Sequence, residues 1–81
     1  MTLGEAFTIR LKLLLIKHDK SLYKFAKDNC IARSTLVNII EGRTKCPTLA
    51  IIYQVAVGFN MTPIEFLSFP EFTNLDELDY L

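Results

Sequence analysis

Residues 33–42, with the sequence RSTLVNIIEG, constrain the fold of this chain more than any other segment. On a helix, Leu36, Ile39 and Ile40 fall at positions i, i+3 and i+4, so they form one apolar stripe. The opposite face carries Arg33, Ser34, Val37, Asn38 and Glu41. Gly42 follows at a position where helices commonly end. The segment therefore predicts an amphipathic helix from Arg33 to Glu41 whose polar face is left for a partner.

The side chains on that outward face suit contact with DNA bases. Arg and Asn can bond bidentately to a base edge, Ser can donate or accept, and Val can contact a thymine methyl group. The residues that we expect to contact bases are Arg33, Ser34, Val37 and Asn38, with Asn38 paired to adenine. Plainer interpretations remain open: Val37 and Asn38 as ordinary solvent-exposed residues, and Arg33 as a phosphate contact that carries no sequence information.

Two segments beside this helix are candidates for phosphate contact. Arg43, Thr44 and Lys45 follow the helix directly, where a DNA backbone would pass. Ser21 is a good N-cap for a helix that runs from Leu22 to about Asn29. The Ser21 hydroxyl, the Leu22 backbone and the neighbouring Lys24 are expected to hold a second phosphate. A plain capping role for Ser21 is an equally open interpretation.

The remaining apolar pattern predicts three further helices. Helix 1 is expected from Leu3 to His18, with a core stripe of Phe7, Leu11, Leu14, Leu15 and His18. A second stripe of Ile9, Leu13 and Ile16 is either an interface or a groove for another part of the chain. Helix 4 is expected after a Thr48 cap, with Leu49, Ile52, Val55, Ala56 and Phe59 buried and Ala50, Tyr53 and Val57 on a milder second stripe. Helix 5 is expected over Pro63–Ser68, capped by Thr62.

The composition predicts one small folded domain with a polarised charge. The chain has 81 residues, 51% of them hydrophobic, and a formal net charge of zero. All nine Lys and Arg lie between Arg10 and Lys45 beside only three acids, so this window carries +6 and the flanks carry −6. Such a chain can hold a basic patch that its net charge hides, although an ordinary mixed-charge surface is the alternative.

We expect a compact five-helix domain over residues 1–69 and a short acidic tail over residues 70–81. In the tail, Leu75, Leu78 and Leu81 lie three apart behind a possible Asn74 cap, which is compatible with a short helix or a loose end. Its carboxylates would be repelled by phosphate, so the tail is not expected to contact DNA.

Several function classes have little support in the sequence. No run of 18 apolar residues and no signal-peptide pattern are present, so we expect a cytoplasmic, nucleoid-associated protein with no membrane partner. Cys30 and Cys46 lack metal-ligand companions and are expected to be free thiols used in packing. His18 is expected at a helix end and not as a ligand. One histidine, no nucleophile–base spacing and no glycine-rich loop predict that the chain is not an enzyme and has no metal, cofactor or small-molecule ligand.

The order of these elements resembles the Cro and phage-repressor-like helix-turn-helix proteins. The segments SLYKFAKDNCIARSTLVNIIEG and KCPTLAIIYQVAVGFNMTPIEFL carry the resemblance, which covers about residues 5–69. It implies an all-α, lambda-repressor-like fold and a sequence-specific transcriptional regulator, more specifically a repressor, of bacterial or phage type. It also implies a dimer that reads a palindromic operator in double-stranded DNA with helix 3, using the base and phosphate contacts named above.

The sequence departs from the family pattern at several positions. Lys20 stands where an apolar residue is usual, Cys46 and Ala50 replace polar residues, and Glu41 lies near the expected phosphate path. Cys30 occupies the usual glycine of the turn, and a positive φ there would cost on the order of 1 kcal/mol. These features, with net neutrality and the second apolar stripes, leave an alternative open: a helix-turn-helix fold used as a protein-interaction module, such as an antirepressor or scaffold.

A homodimer is expected from the surplus of apolar surface. The candidate interfaces are the second stripes of helices 1 and 4 and the tail leucines. The family resemblance implies a further candidate, the region of helix 5 with Phe66, Phe69 and Phe72. The sequence does not rank them.

Overall fold

A computed structural model describes residues 1–75, which form five α-helices and one short 3-10 helix and contain no β-strand. The elements are α1 (Leu3–Lys17), α2 (Leu22–Asp28), α3 (Arg33–Ile40), α4 (Leu49–Gly58), α5 (Pro63–Leu67) and a 3-10 helix at Pro70–Thr73. The all-α, five-helix prediction is confirmed. The possible tail helix with Leu78 and Leu81 lies outside the described residues.

Four helices end one residue earlier than the sequence predicted. The predicted last residues of α1, α2, α3 and α5 are instead the C-caps His18, Asn29, Glu41 and Ser68. A C-cap is only half inside its helix, so periodicity alone does not separate it from the last full helical residue.

Side-chain capping explains where most of the helices start. Ser21, Thr48 and Thr62 each accept the backbone N–H three residues later, as predicted, and Thr2 does the same for α1. At α5 the cap is reciprocal, because Glu65 accepts the Thr62 backbone N–H at 2.9 Å. That bond, followed by the bond to the Thr62 side chain, holds the pKa of Glu65 below its usual value. Helix α3 alone among the five starts without a side-chain cap, at Ala32.

The first four helices end in the same hydrogen-bonded turn. In α2, the Ile31 N–H donates to Ala26 O at 2.9 Å and the Cys30 N–H donates to Lys27 O at 3.4 Å, which is a Schellman motif. The residue with positive φ in this motif is Gly42 in α3 (φ 82°), but Asp19, Cys30 and Asn60 (φ 52°, 54° and 60°) in the other three helices. Cys30 therefore keeps the positive φ of the glycine that the family resemblance places at this position.

Replacing Cys30 with glycine should stabilise the protein. Cys30 is exposed and forms no disulfide, so the substitution removes a strained Cβ and no buried contact. We expect a gain of about 1 kcal/mol and a rise in melting temperature of about 4–8 °C, measured by thermal unfolding. The matched control is Cys46→Gly, at an exposed free cysteine whose φ is not positive. An equal or larger gain in the control would contradict this explanation.

The core is built from side chains of all five helices and the turn between α2 and α3. Phe25 stacks on Phe59 with ring centroids 4.2 Å apart, and Phe7 meets Phe66 at 5.7 Å. The predicted core positions of α1 are buried except for His18, which is exposed with its ring 5.2 Å from Phe59. The prediction of His18 as a core residue is wrong, because a C-cap lies where the chain leaves the helix for solvent.

Two other packing predictions are wrong. Leu49 was expected in the core but is 72% exposed, because it lies in line with Tyr53 and Val57 at i, i+4 and i+8 on the outer face of α4. Ile51 is buried in its place. Cys30 and Cys46 are both exposed and do not act as packing residues, since each lies in a surface turn.

The 3-10 helix extends the packed body beyond residue 69. Phe72 packs against the core, with its ring centroid 6.0 Å from that of Phe66 and 6.1 Å from that of Phe69. Arg10 joins α1 to the same region, because its Nε donates to Phe66 O at 3.0 Å and its guanidinium lies 5.0 Å from the Phe69 ring centre. The Arg10 guanidinium therefore binds to the α5 region within the protein.

Candidate functional site

Helix α3 is fixed by its apolar stripe and presents the predicted side chains outward. Leu36 is fully buried and Ile39 is 3% exposed, and the helix packs on both α1 and α2. On the other face, Ser34 is exposed while Val37 and Asn38 are partly exposed. The structure thus brings the predicted base-contact residues together on one face, although Val37 is less exposed than the sequence indicated.

Arg33, at the start of α3, lies against an aromatic residue that the sequence analysis missed. Its guanidinium carbon is 5.9 Å from the ring centre of Tyr23, a residue of α2 that is 60% exposed. The sequence did contain a signal for Tyr23, which is an aromatic residue within the lysine-rich helix α2. This cation–π contact orients Arg33 along the surface that α2 and α3 share.

Asn38 is engaged by the segment that follows its own helix. The Arg43 Nε donates to Asn38 Oδ1 at 2.8 Å, and the Arg43 Nη1 lies 3.1 Å from the Glu41 Oε2. The backbone is tied to the same residue, because the N–H groups of Arg43 and Thr44 both donate to Asn38 O, at 2.9 and 3.0 Å. Arg43, predicted as a phosphate contact, therefore folds back on α3.

The loop after α3 is held against the start of α1. The Gly4 N–H donates to Lys45 O at 2.8 Å, and a Cβ at Gly4 would lie 2.9 Å from that same oxygen. Glycine is thus needed for this close approach. The loop leaves Lys45 exposed and Thr44 half-buried, beside a groove of about 540 Å³ whose apolar wall includes Ile9, Ile39 and Ile40.

The residues predicted to contact phosphate at the start of α2 form a helix cap and an ion pair within the protein. The Ser21 Oγ accepts the Lys24 N–H at 3.1 Å, which is the capping role. The Lys24 ammonium lies 3.0 Å from Asp28 Oδ1, one turn along the helix. The hydroxyl hydrogen of Ser21 remains able to donate, so capping and phosphate contact are compatible at this residue.

Part of the +6 charge of residues 10–45 is used within the molecule. Arg10 bonds to α5, while Lys24 and Arg43 pair with Asp28 and Glu41. Other basic residues on or next to α2 and α3 are exposed and form no ion pair within residues 1–75. They are Lys20, Lys27, Arg33 and Lys45.

The described segment contains neither a group of metal-ligating side chains nor a membrane-spanning helix. Within residues 1–75, no three His, Cys, Asp or Glu side chains are grouped as metal ligands. No helix in that part of the chain is long and apolar enough to cross a membrane.

These elements define a small all-α domain of helix-turn-helix type, in which α2, a turn at Cys30 and α3 form the motif. The fold is similar to the crystal structure of the prophage Lp1 protein 11, with a TM-score of 0.80 and 26% sequence identity over 89% of this chain and 95% of that one. No family model and no curated protein matches the sequence.

Proposed function

We propose that this protein is a sequence-specific DNA-binding transcriptional regulator of phage or bacterial type, and that it acts as a repressor. The observation that carries the proposal is the outward face of α3. Ser34, Val37 and Asn38 lie together on a helix whose opposite face packs on the core, with Arg33 at its start. Structural similarity to a prophage protein supports a phage setting.

The proposed mechanism is occupancy of an operator. Helix α3 enters the major groove, while α2 and the exposed Lys45 lie along the flanking backbone. A single module of this size buries about 600–1,000 Å² on DNA, which is at the low end for specific recognition. A dimer reads two half-sites about 34 Å apart, and this doubles the contact. The mechanism requires no catalysis, cofactor or membrane, and it places the protein in the cytoplasm at the nucleoid.

Binding-site selection with the purified chain tests the proposal. A random duplex pool should yield one enriched sequence, palindromic if the dimer is the reader. Triple substitution of Ser34, Val37 and Asn38 to alanine should abolish the enrichment while leaving the fold intact, because these side chains are not part of the core. A wild-type protein that enriches no sequence at low salt would refute the proposal.

A second candidate function is favoured by the exposed face of α1. Leu13 is 50% exposed and Ile16 is 75% exposed, and Arg43 is occupied by Glu41 and Asn38. A protein-interaction module, such as an antirepressor or scaffold, would use this apolar face and would not need DNA. Loss of a protein partner in Leu13→Glu and Ile16→Glu variants, together with no DNA enrichment, would favour this candidate.

The proposed dimer uses the outer face of α4. Leu49, Tyr53 and Val57 are 72%, 56% and 51% exposed along one stripe, and Ile64 of α5 is 78% exposed. Phe66 is excluded from the interface because it is fully buried, and Phe72 packs on the core. An exposed apolar stripe of this length normally has a partner.

We expect sedimentation equilibrium at protein concentrations on the order of tens of micromolar to show a dimer. Tyr53→Glu should convert it to a monomer, because the substitution places a charge in the centre of the stripe. Ile16→Glu is the matched control, at an apolar residue of α1 that is more exposed than Tyr53, and should remain dimeric. A dimer that survives Tyr53→Glu but dissociates with Ile16→Glu would move the interface to α1.

A further inference from the structure

We propose that Arg43 is a positioning residue that sets the base preference of Asn38, an inference that rests on the DNA-binding function proposed above. The amide of Asn38 has an oxygen that accepts and an NH₂ group that donates. Pairing with adenine uses both ends, because adenine offers the N6 donor and the N7 acceptor. Which end faces the groove therefore decides which base is favoured.

The structure fixes that orientation. The Arg43 Nε occupies one side of Asn38 Oδ1 at 2.8 Å, and the positive guanidinium beside this oxygen repels a second donor. With its oxygen engaged, Asn38 has its NH₂ group left to contact a base, and the adjacent charge makes this group a stronger donor. Asn38 should then favour acceptor base edges, which are guanine N7 and O6 or thymine O4, over the bidentate adenine contact that its residue type alone predicts.

Arg43 is held in this position at three points. Its backbone N–H donates to Asn38 O at 2.9 Å within the turn that ends α3, and Gly42 at φ 82° forms that turn. Its guanidinium bridges from Asn38 to the Glu41 carboxylate at 3.1 Å. Glu41, which by sequence departs from the family pattern and would repel phosphate, thus directs Arg43 towards α3 and away from the DNA backbone.

The first measurement is made on the free protein. Hydrogen exchange of the arginine Nε–H groups, followed by NMR, should be slower at Arg43 than at Arg33 by on the order of tenfold, because only Arg43 donates this hydrogen to an amide oxygen. Asn38→Ala should remove the difference. Equal exchange at the two arginines in the wild-type protein would overturn the proposal without touching the DNA-binding function.

The second measurement is base preference. The position that Asn38 reads is the one whose preference is lost in Asn38→Ala. At that position the wild type should favour guanine or thymine, and Arg43→Met should shift the preference towards adenine by on the order of tenfold. Arg43→Lys is the matched control for charge. It lacks the Nε–H donor and the planar fork, so it should not restore the wild-type preference.

Salt dependence separates positioning from phosphate contact. Arg43→Met should leave the slope of log affinity against log salt unchanged, whereas loss of a phosphate contact lowers it by about one unit. If a sequence is enriched but Arg43→Met changes only affinity and slope, the DNA function stands and the positioning role is overturned. If the Arg43 Nε–H is protected but neither the wild type nor any variant enriches a sequence, the proposed DNA function fails and the specificity role fails with it.

Discussion

Asn38→Ala should lower affinity for the preferred operator by about 1–3 kcal/mol, roughly 5- to 150-fold, and should change affinity for random DNA little. Asn38 lies on the outward face of α3, where the proposed docking places it against a base edge. A base contact contributes only on the sequence that offers the matching atoms, so its loss reduces discrimination. Titration of both duplexes by gel shift or fluorescence anisotropy measures the two effects separately.

Lys45→Ala is the matched control, because it removes a proposed phosphate contact and no base contact. Lys45 is exposed in the loop that is hydrogen-bonded to Gly4 of α1, and the proposed docking places its charge beside the DNA backbone. Its removal should weaken operator and random DNA alike and reduce the salt slope by about one unit, because one fewer counterion is released. Equal losses on both duplexes for Asn38→Ala would mean that α3 is not the reading helix.

Neither substitution should unfold the protein, since Asn38 is only partly buried and Lys45 is exposed. The same melting temperature in both variants, within a few degrees, is therefore the control for the binding data. Asn38→Ala also removes the acceptor for Arg43, so its effect on the operator includes any reorientation of that guanidinium. The Arg43→Met variant separates the two contributions.

The helices and their starts were predictable because their signals are local. Ser21, Thr48 and Thr62 are each followed by an apolar-periodic segment, and a hydroxyl at that position accepts a backbone N–H two or three residues later, here three. The turn at Cys30 was indicated by the family resemblance, in which a glycine usually occupies this position, and helix ends of this kind need a residue with positive φ. Burial was predicted less well at helix ends, as Leu49 and His18 show.

The candidate site could be placed on α3 from sequence but its side-chain contacts could not. Which partner Arg43 selects depends on where the chain turns after Gly42, and the turn directs its guanidinium to Asn38 and Glu41. Arg10 illustrates the same point over a longer distance, because its bond to Phe66 O joins residues 56 positions apart in the chain. Counting charges along the sequence therefore overestimated the basic charge that is free on the surface of α2 and α3.

Gly58→Ala should destabilise the protein, with a loss of about 1–3 kcal/mol in the free energy of unfolding. Gly58 is the last residue of α4, and a Cβ there would lie 2.8 Å from the Phe25 Cζ and 2.9 Å from the Asn29 Cγ. Phe25 cannot easily move, because it is fully buried and stacked on Phe59. The melting temperature should fall by roughly 4–8 °C for each kcal/mol lost.

Gly42→Ala is the control that separates crowding from backbone strain. A Cβ at Gly42 meets no atom within 4 Å, so the only cost is the positive φ of 82°, on the order of 1 kcal/mol. Gly58 does not have a positive φ, so its loss should come from the contact with α2, offset by the higher helix propensity of alanine, about 1 kcal/mol. If Gly42→Ala destabilises more than Gly58→Ala, crowding between α4 and α2 is not the dominant effect.

A double-mutant cycle with Phe25→Leu completes the test. Leucine is smaller than phenylalanine and lacks the ring atoms that the alanine Cβ would meet, so Gly58→Ala should cost less in the Phe25→Leu background than in the wild type. We expect a favourable coupling of about 0.5–3 kcal/mol, the range found for residues in direct contact. Strict additivity of the two substitutions would show that α4 and α2 adjust without strain, and that the position of α2 does not depend on a glycine at residue 58.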